Sequence, residues 1–158
     1  MKINFVGDIF GSTGFSSHCR QLANATYKLN KETSIEQPGV PQNWESLVTN
    51  DEKAMIEGDY RRNVNVMITN PLSWTLKAAD KPELTIGFGI HEGSRIPTAY
   101  IEAANKVDAI VVPSQHVYDA FKPFTTKPME IVPHGVDSKI FYPKKLEEIS
   151  KEIKQFID

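Results

Sequence analysis

At 158 residues, with 40% hydrophobic and 24% charged side chains, the chain is expected to be one soluble globular domain with length enough to bury a real core. A formal net charge of −2 gives nucleic acid or an anionic membrane little electrostatic hold, and no apolar run approaches the roughly 20 residues of a membrane span. The single cysteine, Cys19, excludes an intramolecular disulfide. The opening Met1-Lys-Ile-Asn-Phe-Val-Gly-Asp8 lacks a signal peptide's long apolar core and cleavage site, so the expected compartment is the cytoplasm.

Ile3, Phe5 and Val6 read as a first strand that stops at Gly7-Asp8. Next comes a loop spaced Gly7-(x)3-Gly11-(x)2-Gly14, then a helix to about Leu29 with Cys19, Leu22, Ala23 and Ala25 on its core side. Strand, glycine loop and helix open a nucleotide-binding type of unit, although the spacing is neither Gly-x-Gly-x-x-Gly nor a P-loop. Glycines admit a ligand close to the backbone, and a helix start offers free N–H groups and a positive dipole end. Gly11, Ser12, Thr13 and Gly14 are therefore candidate substrate-binding residues, with Ser12 or Thr13 a candidate cap. A tight strand-to-helix turn accounts for the same glycines, and both readings stand.

Thr33 to Glu36 has the pattern of a short strand, ended by Pro38-Gly-Val-Pro41. Trp44, Leu47 and Val48 have helical spacing, and Asp51 to Tyr60 reads as either helix or surface loop. Asn63 to Thr69 is a strand ending at the turn Asn70-Pro71. The pattern of Leu72, Trp74 and Leu76 is too short to assign. Glu83 to Ile90 is a strand ending at His91-Glu92, and Pro97 can open a helix carrying Tyr100, Ile101, Ala104 and Val107. Ala109 to Val112 is a strand ending at Pro113-Ser114. Ser114 caps a helix over Gln115 to Phe121, with Val117, Ala120 and Phe121 inward. Ile131-Val132 is a last strand, ending at Pro133-His134-Gly135. Leu146, Ile149, Ile153, Phe156 and Ile157 then stripe a highly charged helix.

Short β-branched runs bounded by turns read as buried strands of a parallel sheet. The fold expected is α/β, a Rossmann-like, mainly parallel sheet with helices on both faces. It spans residues 1–143, and an amphipathic helix over 144–158 packs on it or on a partner. Ligands of such sheets bind at the carboxyl ends of the strands, where each polar turn falls. His91, directly after a glycine-bearing strand, is the candidate catalytic residue. Asn70, Glu92, Ser114 and His134 are candidate substrate-binding residues. For each a structural role is open as well: an Asn-Pro turn for Asn70, loop hydrogen bonds for Glu92, a helix cap for Ser114, a chain exit for His134. Arg95 is a candidate phosphate partner or a solvated cation. The four histidines are scattered at 18, 91, 116 and 134, which argues against a zinc site, and Cys19 reads as a small buried side chain.

Glu92-(x)4-Pro97, then Asp108-(x)5-Ser114, then Pro133-His-Gly-Val-Asp137-(x)3-Phe141-x-Pro143 resembles the amino-terminal half of retaining glycosyltransferases with the GT-B fold, in particular family four. The resemblance implies the acceptor-side domain of an enzyme moving a sugar from a nucleotide-sugar donor to a sugar or lipid acceptor. The donor is a substrate, and no further cofactor is implied. It also implies a glycine loop beside the acceptor and the donor phosphates, and a sugar-contacting histidine at the position of His91. In that family a basic pair and a Glu-(x)7-Glu motif in the carboxyl-terminal half grip the donor. The 158 residues do not reproduce that motif, since Glu147 and Glu148 are adjacent. A second domain, a second chain or a homodimer is the expected partner. The alternative is a non-catalytic sugar- or nucleotide-binding or scaffolding module. A dinucleotide-dependent enzyme fits less well, given the glycine spacing and the lack of a clear acidic residue after the second strand.

Overall fold

The computed structural model describes residues 1–37, 39–58, 63–74, 82–145 and 147–149. In chain order these form β1 (Ile3–Val6), α1 (Gly14–Leu29), β2 (Thr33–Glu36), α2 (Asn50–Ile56), β3 (Val64–Met67), β4 (Leu84–Phe88), α3 (Thr98–Ala104), β5 (Ala109–Val112), α4 (Gln115–Phe121) and β6 (Met129–Ile131). Short 3₁₀ turns cover Trp44–Leu47, Pro71–Ser73 and Lys122–Phe124. The strands pair as one six-stranded sheet in the order β2-β1-β3-β4-β5-β6, and every pairing is parallel. This is a Rossmann-like α/β fold. The striped helix expected at the carboxyl terminus lies mostly outside the described residues, as do Pro38, Tyr60 and Leu76.

The core is split in two by the sheet. Side chains alternate along a strand, so the neighbours Phe5 and Val6, and Met67 and Ile68, serve opposite faces. One face packs Phe5, Ile35, Ile68 and Phe88 against Cys19 and Ala23 of α1 and Met55 and Ile56 of α2. The other packs Val6, Met67, Ile110 and Val112 against Trp74, Ala104, Val107, Val117 and Phe121. Two glycines are required by this packing. A Cβ on Gly87 would lie 2.5 Å from the indole of Trp74, and one on Gly7 would lie 2.7 Å from the Ile68 carbonyl and 2.9 Å from Cys19 Sγ. The buried Trp74 gives its Nε1–H to the Thr69 carbonyl at 3.2 Å.

The structure corrects some sequence expectations and decides others left open. Ala25 of α1 is exposed, because the narrow apolar stripe runs through Cys19 and Ala23 instead. Leu47 is exposed on its 3₁₀ turn. The charged stretch after Thr49 resolves as helix α2, started by a capping box in which Thr49 and Glu52 exchange side-chain bonds to each other's backbone N–H. The last strand ends at Ile131, and Val132 adds one further bond to the Val112 carbonyl at 2.8 Å. Among the described residues no helix is long and apolar enough to cross a membrane.

Candidate functional site

All six carboxyl ends lie along one edge of the sheet. The chain steps from β1 outward to β2 and then back across to β3, so the strand order reverses between β1 and β3. At such a point the loops on either side turn apart and leave a crevice. A cleft of about 300 Å³ opens here, lined by Phe15, Asn70, Pro71, Ile90, His91, Glu92, Gly93 and Tyr100. Phe15 comes from the first turn of α1, Asn70 and Pro71 from the exit of β3, Ile90 to Gly93 from the exit of β4, and Tyr100 from α3.

Asn70, His91 and Tyr100 are each held by a specific partner. Asn70 caps the 3₁₀ turn: its Oδ1 accepts the Leu72 N–H at 3.0 Å, and Pro71 occupies the first turn position, where a missing N–H costs nothing. A backbone N–H can only donate, so this bond fixes which end of the amide is oxygen. Asn70 Nδ2 then donates to Tyr100 Oη at 2.7 Å. His91 Nε2 lies 2.9 Å from the Arg95 carbonyl oxygen. A carbonyl only accepts, so Nε2 carries the proton and Nδ1 of the neutral ring is a bare acceptor. Gly93 leaves room for this ring, since a Cβ there would sit 3.0 Å from Nε2. The rings of His91 and Tyr100 meet edge to face with centroids 6.3 Å apart. Among the described residues the lining therefore offers an imidazole acceptor, an amide, a phenol, one carboxylate and two aromatic surfaces, with no Lys or Arg.

The glycine loop is organised from within. Asp8 accepts the Phe10 N–H at 2.9 Å, the Gly11 N–H at 3.1 Å and the Ser16 hydroxyl at 2.7 Å. Burial raises its pKa, but the bonds from Ser16, Phe10, Gly11 and Gln37 together hold it below the usual carboxylate value. Ser16 donates to Asp8, so Thr13 Oγ1, 2.9 Å from Ser16 Oγ, is the donor of the next link, while it also accepts the Ser16 N–H as the cap of α1. A Cβ on Gly11 would collide with Asp8 and Ser16, whereas one on Gly14 would meet nothing within 4 Å. Gly11 is thus explained by the fold, and Gly14 is not. Ser12, Thr13 and Gly14 are exposed and lead straight into Phe15 of the cleft.

The cleft gathers Asn70, His91 and Glu92 of the candidates, with the loop Gly11 to Gly14 beside it. Ser114 lies elsewhere, capping α4 through the Val117 N–H at 3.4 Å. His134 does not line the cleft either: its Nδ1 is 3.0 Å from His18 Nδ1, and its ring packs on His18 and Phe88 with centroids 4.4 and 5.7 Å away. Burial, then the neighbouring His134, pull the His18 imidazole down to about 4. Two lining residues escaped sequence reading, Phe15 and Tyr100, as did the roles of Asp8 in the glycine loop and of His18 beside His134. Phe15 carried a signal, an aromatic residue directly after the last loop glycine. Tyr100 was read as one of a helix's spaced apolar positions, although a phenol pairs an apolar body with a polar tip. Nothing local marks His18, whose partner is 116 residues away. Among the described residues no three His, Cys, Asp or Glu side chains converge as a metal set would. No family model matches this chain, and no curated protein is significantly similar to it.

Proposed function

We propose that the chain is the acceptor-side domain of a retaining glycosyltransferase of the GT-B type, family four, moving a sugar from a nucleotide-sugar donor to a sugar or lipid acceptor. The observation that carries this reading is the cleft at the strand-order reversal, in which His91 has a fixed tautomer and a bare Nδ1. A sugar hydroxyl can donate to that nitrogen while Glu92 accepts from a neighbouring hydroxyl, and the Phe15 and Tyr100 rings offer faces to the apolar side of a pyranose. The residue motifs from Glu92 to Pro143 support the same reading. Glycosyl transfer also needs positive charge or N–H dipoles on the leaving diphosphate. The lining has no cation among the described residues, and Asp8 already takes N–H groups of the loop, so those groups are expected from a second domain or chain.

A described lining without Lys or Arg equally favours a second reading, a sugar-binding module without catalysis. Calorimetric titration of the purified chain with methyl pyranosides and with nucleotide sugars, beside a donor-hydrolysis and transfer assay, tests both. The expected result is measurable glycoside binding that His91→Ala weakens, weaker nucleotide-sugar binding, and little transfer by the chain alone. Tight nucleotide-sugar binding without glycoside binding would make this a donor-side module. Robust transfer by the chain alone would show that no second domain is needed.

A further inference from the structure

Tyr100 is half-buried and lines the cleft. Its oxygen accepts from Asn70 Nδ2 at 2.7 Å. The identity of that nitrogen is secured at the other end of the same amide, where Oδ1 faces the Leu72 N–H. An amide nitrogen cannot accept the phenolic proton, so the Tyr100 O–H must turn away from Asn70. No acceptor for it exists among the described residues. The side chain is half-buried but its hydroxyl is exposed at the cleft, so with the acceptor side engaged by Asn70 the proton points to solvent, where a ligand hydroxyl can take it. The amide that seemed from sequence to be the hydroxyl-binding group already spends its oxygen on the turn and one proton on Tyr100.

We infer that Tyr100 is a ligand-contacting residue of the cleft, donating its phenolic hydrogen bond to an uncharged sugar hydroxyl, and that Asn70 is the positioning residue that aims it. This rests on the glycosyl reading of the cleft. With His91 Nδ1 as the acceptor, the cleft presents one donor and one acceptor on adjacent rings, the complement of a hydroxyl or a pair of neighbouring hydroxyls. Recognition of this kind discriminates by hydroxyl geometry, because an epimer that misplaces the group leaves Tyr100 unpaired.

The test uses a panel of methyl pyranosides (glucoside, galactoside, mannoside), with affinities read by calorimetry. Tyr100→Phe removes the donor and little else, and should weaken the best glycoside by roughly 3- to 10-fold, the worth of one neutral hydrogen bond. Asn70→Asp keeps the turn cap but offers a carboxylate to the phenol. The Tyr100 proton then turns toward position 70 and away from the cleft, so this variant should match Tyr100→Phe, and the double variant should be no weaker than either. An amide correlation spectrum checks each fold, and Asn70→Asp carries the test if Tyr100→Phe does not fold. Wild-type affinity in a folded Tyr100→Phe or Asn70→Asp overturns the inference while leaving the cleft's function standing. Failure of the unmodified chain to bind any methyl pyranoside overturns the glycosyl reading and the ligand class assigned to Tyr100 with it.

Discussion

His18 shows how a single side chain can carry a pH dependence. It projects from α1 onto the ring of Phe88, with centroids 4.5 Å apart, and meets His134 from the segment after β6. Its Nε2 is buried without a partner, so protonation would place a charge where nothing receives it. Burial, followed by repulsion from His134, lowers its pKa from 6.5 to about 4. A base held below its ordinary value binds fewer protons folded than unfolded, so stability falls as pH drops through 6.5 and stops falling below about 4. Carboxylates act in a lower window. Asp8 and Glu52 are both raised by burial but lowered further by hydrogen bonds, for a net downward shift, and their contribution disappears only below the usual carboxylate range. Urea unfolding between pH 6.5 and 4 should therefore lose stability in the wild type and lose clearly less in His18→Gln. Parallel slopes in the two proteins would show that His18 does not govern this window. Cys19 lies beside His18 in sequence but is inert: burial, then Asp8, push its thiol up to about 12.

At the scale of elements, the strands were legible and the contacts between their loops were not. β2 and β5 fall on the runs Thr33 to Glu36 and Ala109 to Val112: β5 is apolar along its length, as a strand covered on both faces must be, whereas the edge strand β2 is marked by its β-branched Thr33 and Ile35 and the turn after it. Ser114 likewise marks a helix start, since its side chain caps the next turn, and Pro97 marks one through its fixed φ, without a side-chain bond. The role of Tyr100 depends on Asn70, 30 residues earlier, and no spacing rule reaches across that crossover. Glycines were ambiguous for a related reason. Gly87 reads locally as a weak strand residue, yet its bare Cα makes room for Trp74. Gly87→Ala should cost about 1–3 kcal/mol, the usual penalty of overpacking, and Gly14→Ala, with open space at its Cβ, should cost far less. Chemical denaturation of the two variants makes the comparison. Equal losses would contradict the packing described for β4.

At the scale of the whole molecule, the fold was readable in outline, but the position of the site required the strand order. Six parallel strands put every polar turn on one edge. Only the reversal between β1 and β3 picks out the exits of β3 and β4, together with Phe15, as the cleft. The same order leaves Ser114 at the exit of β5 away from it, while His134 packs on His18 and Phe88 beside it without lining it, a distinction the sequence could not make. The molecule thus has a cleft whose described lining carries no Lys or Arg, next to a glycine loop already bonded to its own Asp8. On the proposed reading, these described groups serve an uncharged sugar rather than a diphosphate. The most direct measurement is an amide-correlation titration of the isotopically labelled chain with a methyl pyranoside. Shifts confined to Phe15, Asn70, Leu72, Ile90 to Gly93 and Tyr100 are predicted. Saturable shifts that instead cluster around Ser114 or His134, or the absence of any shift at the cleft, would contradict the assignment of this edge of the sheet as a sugar site.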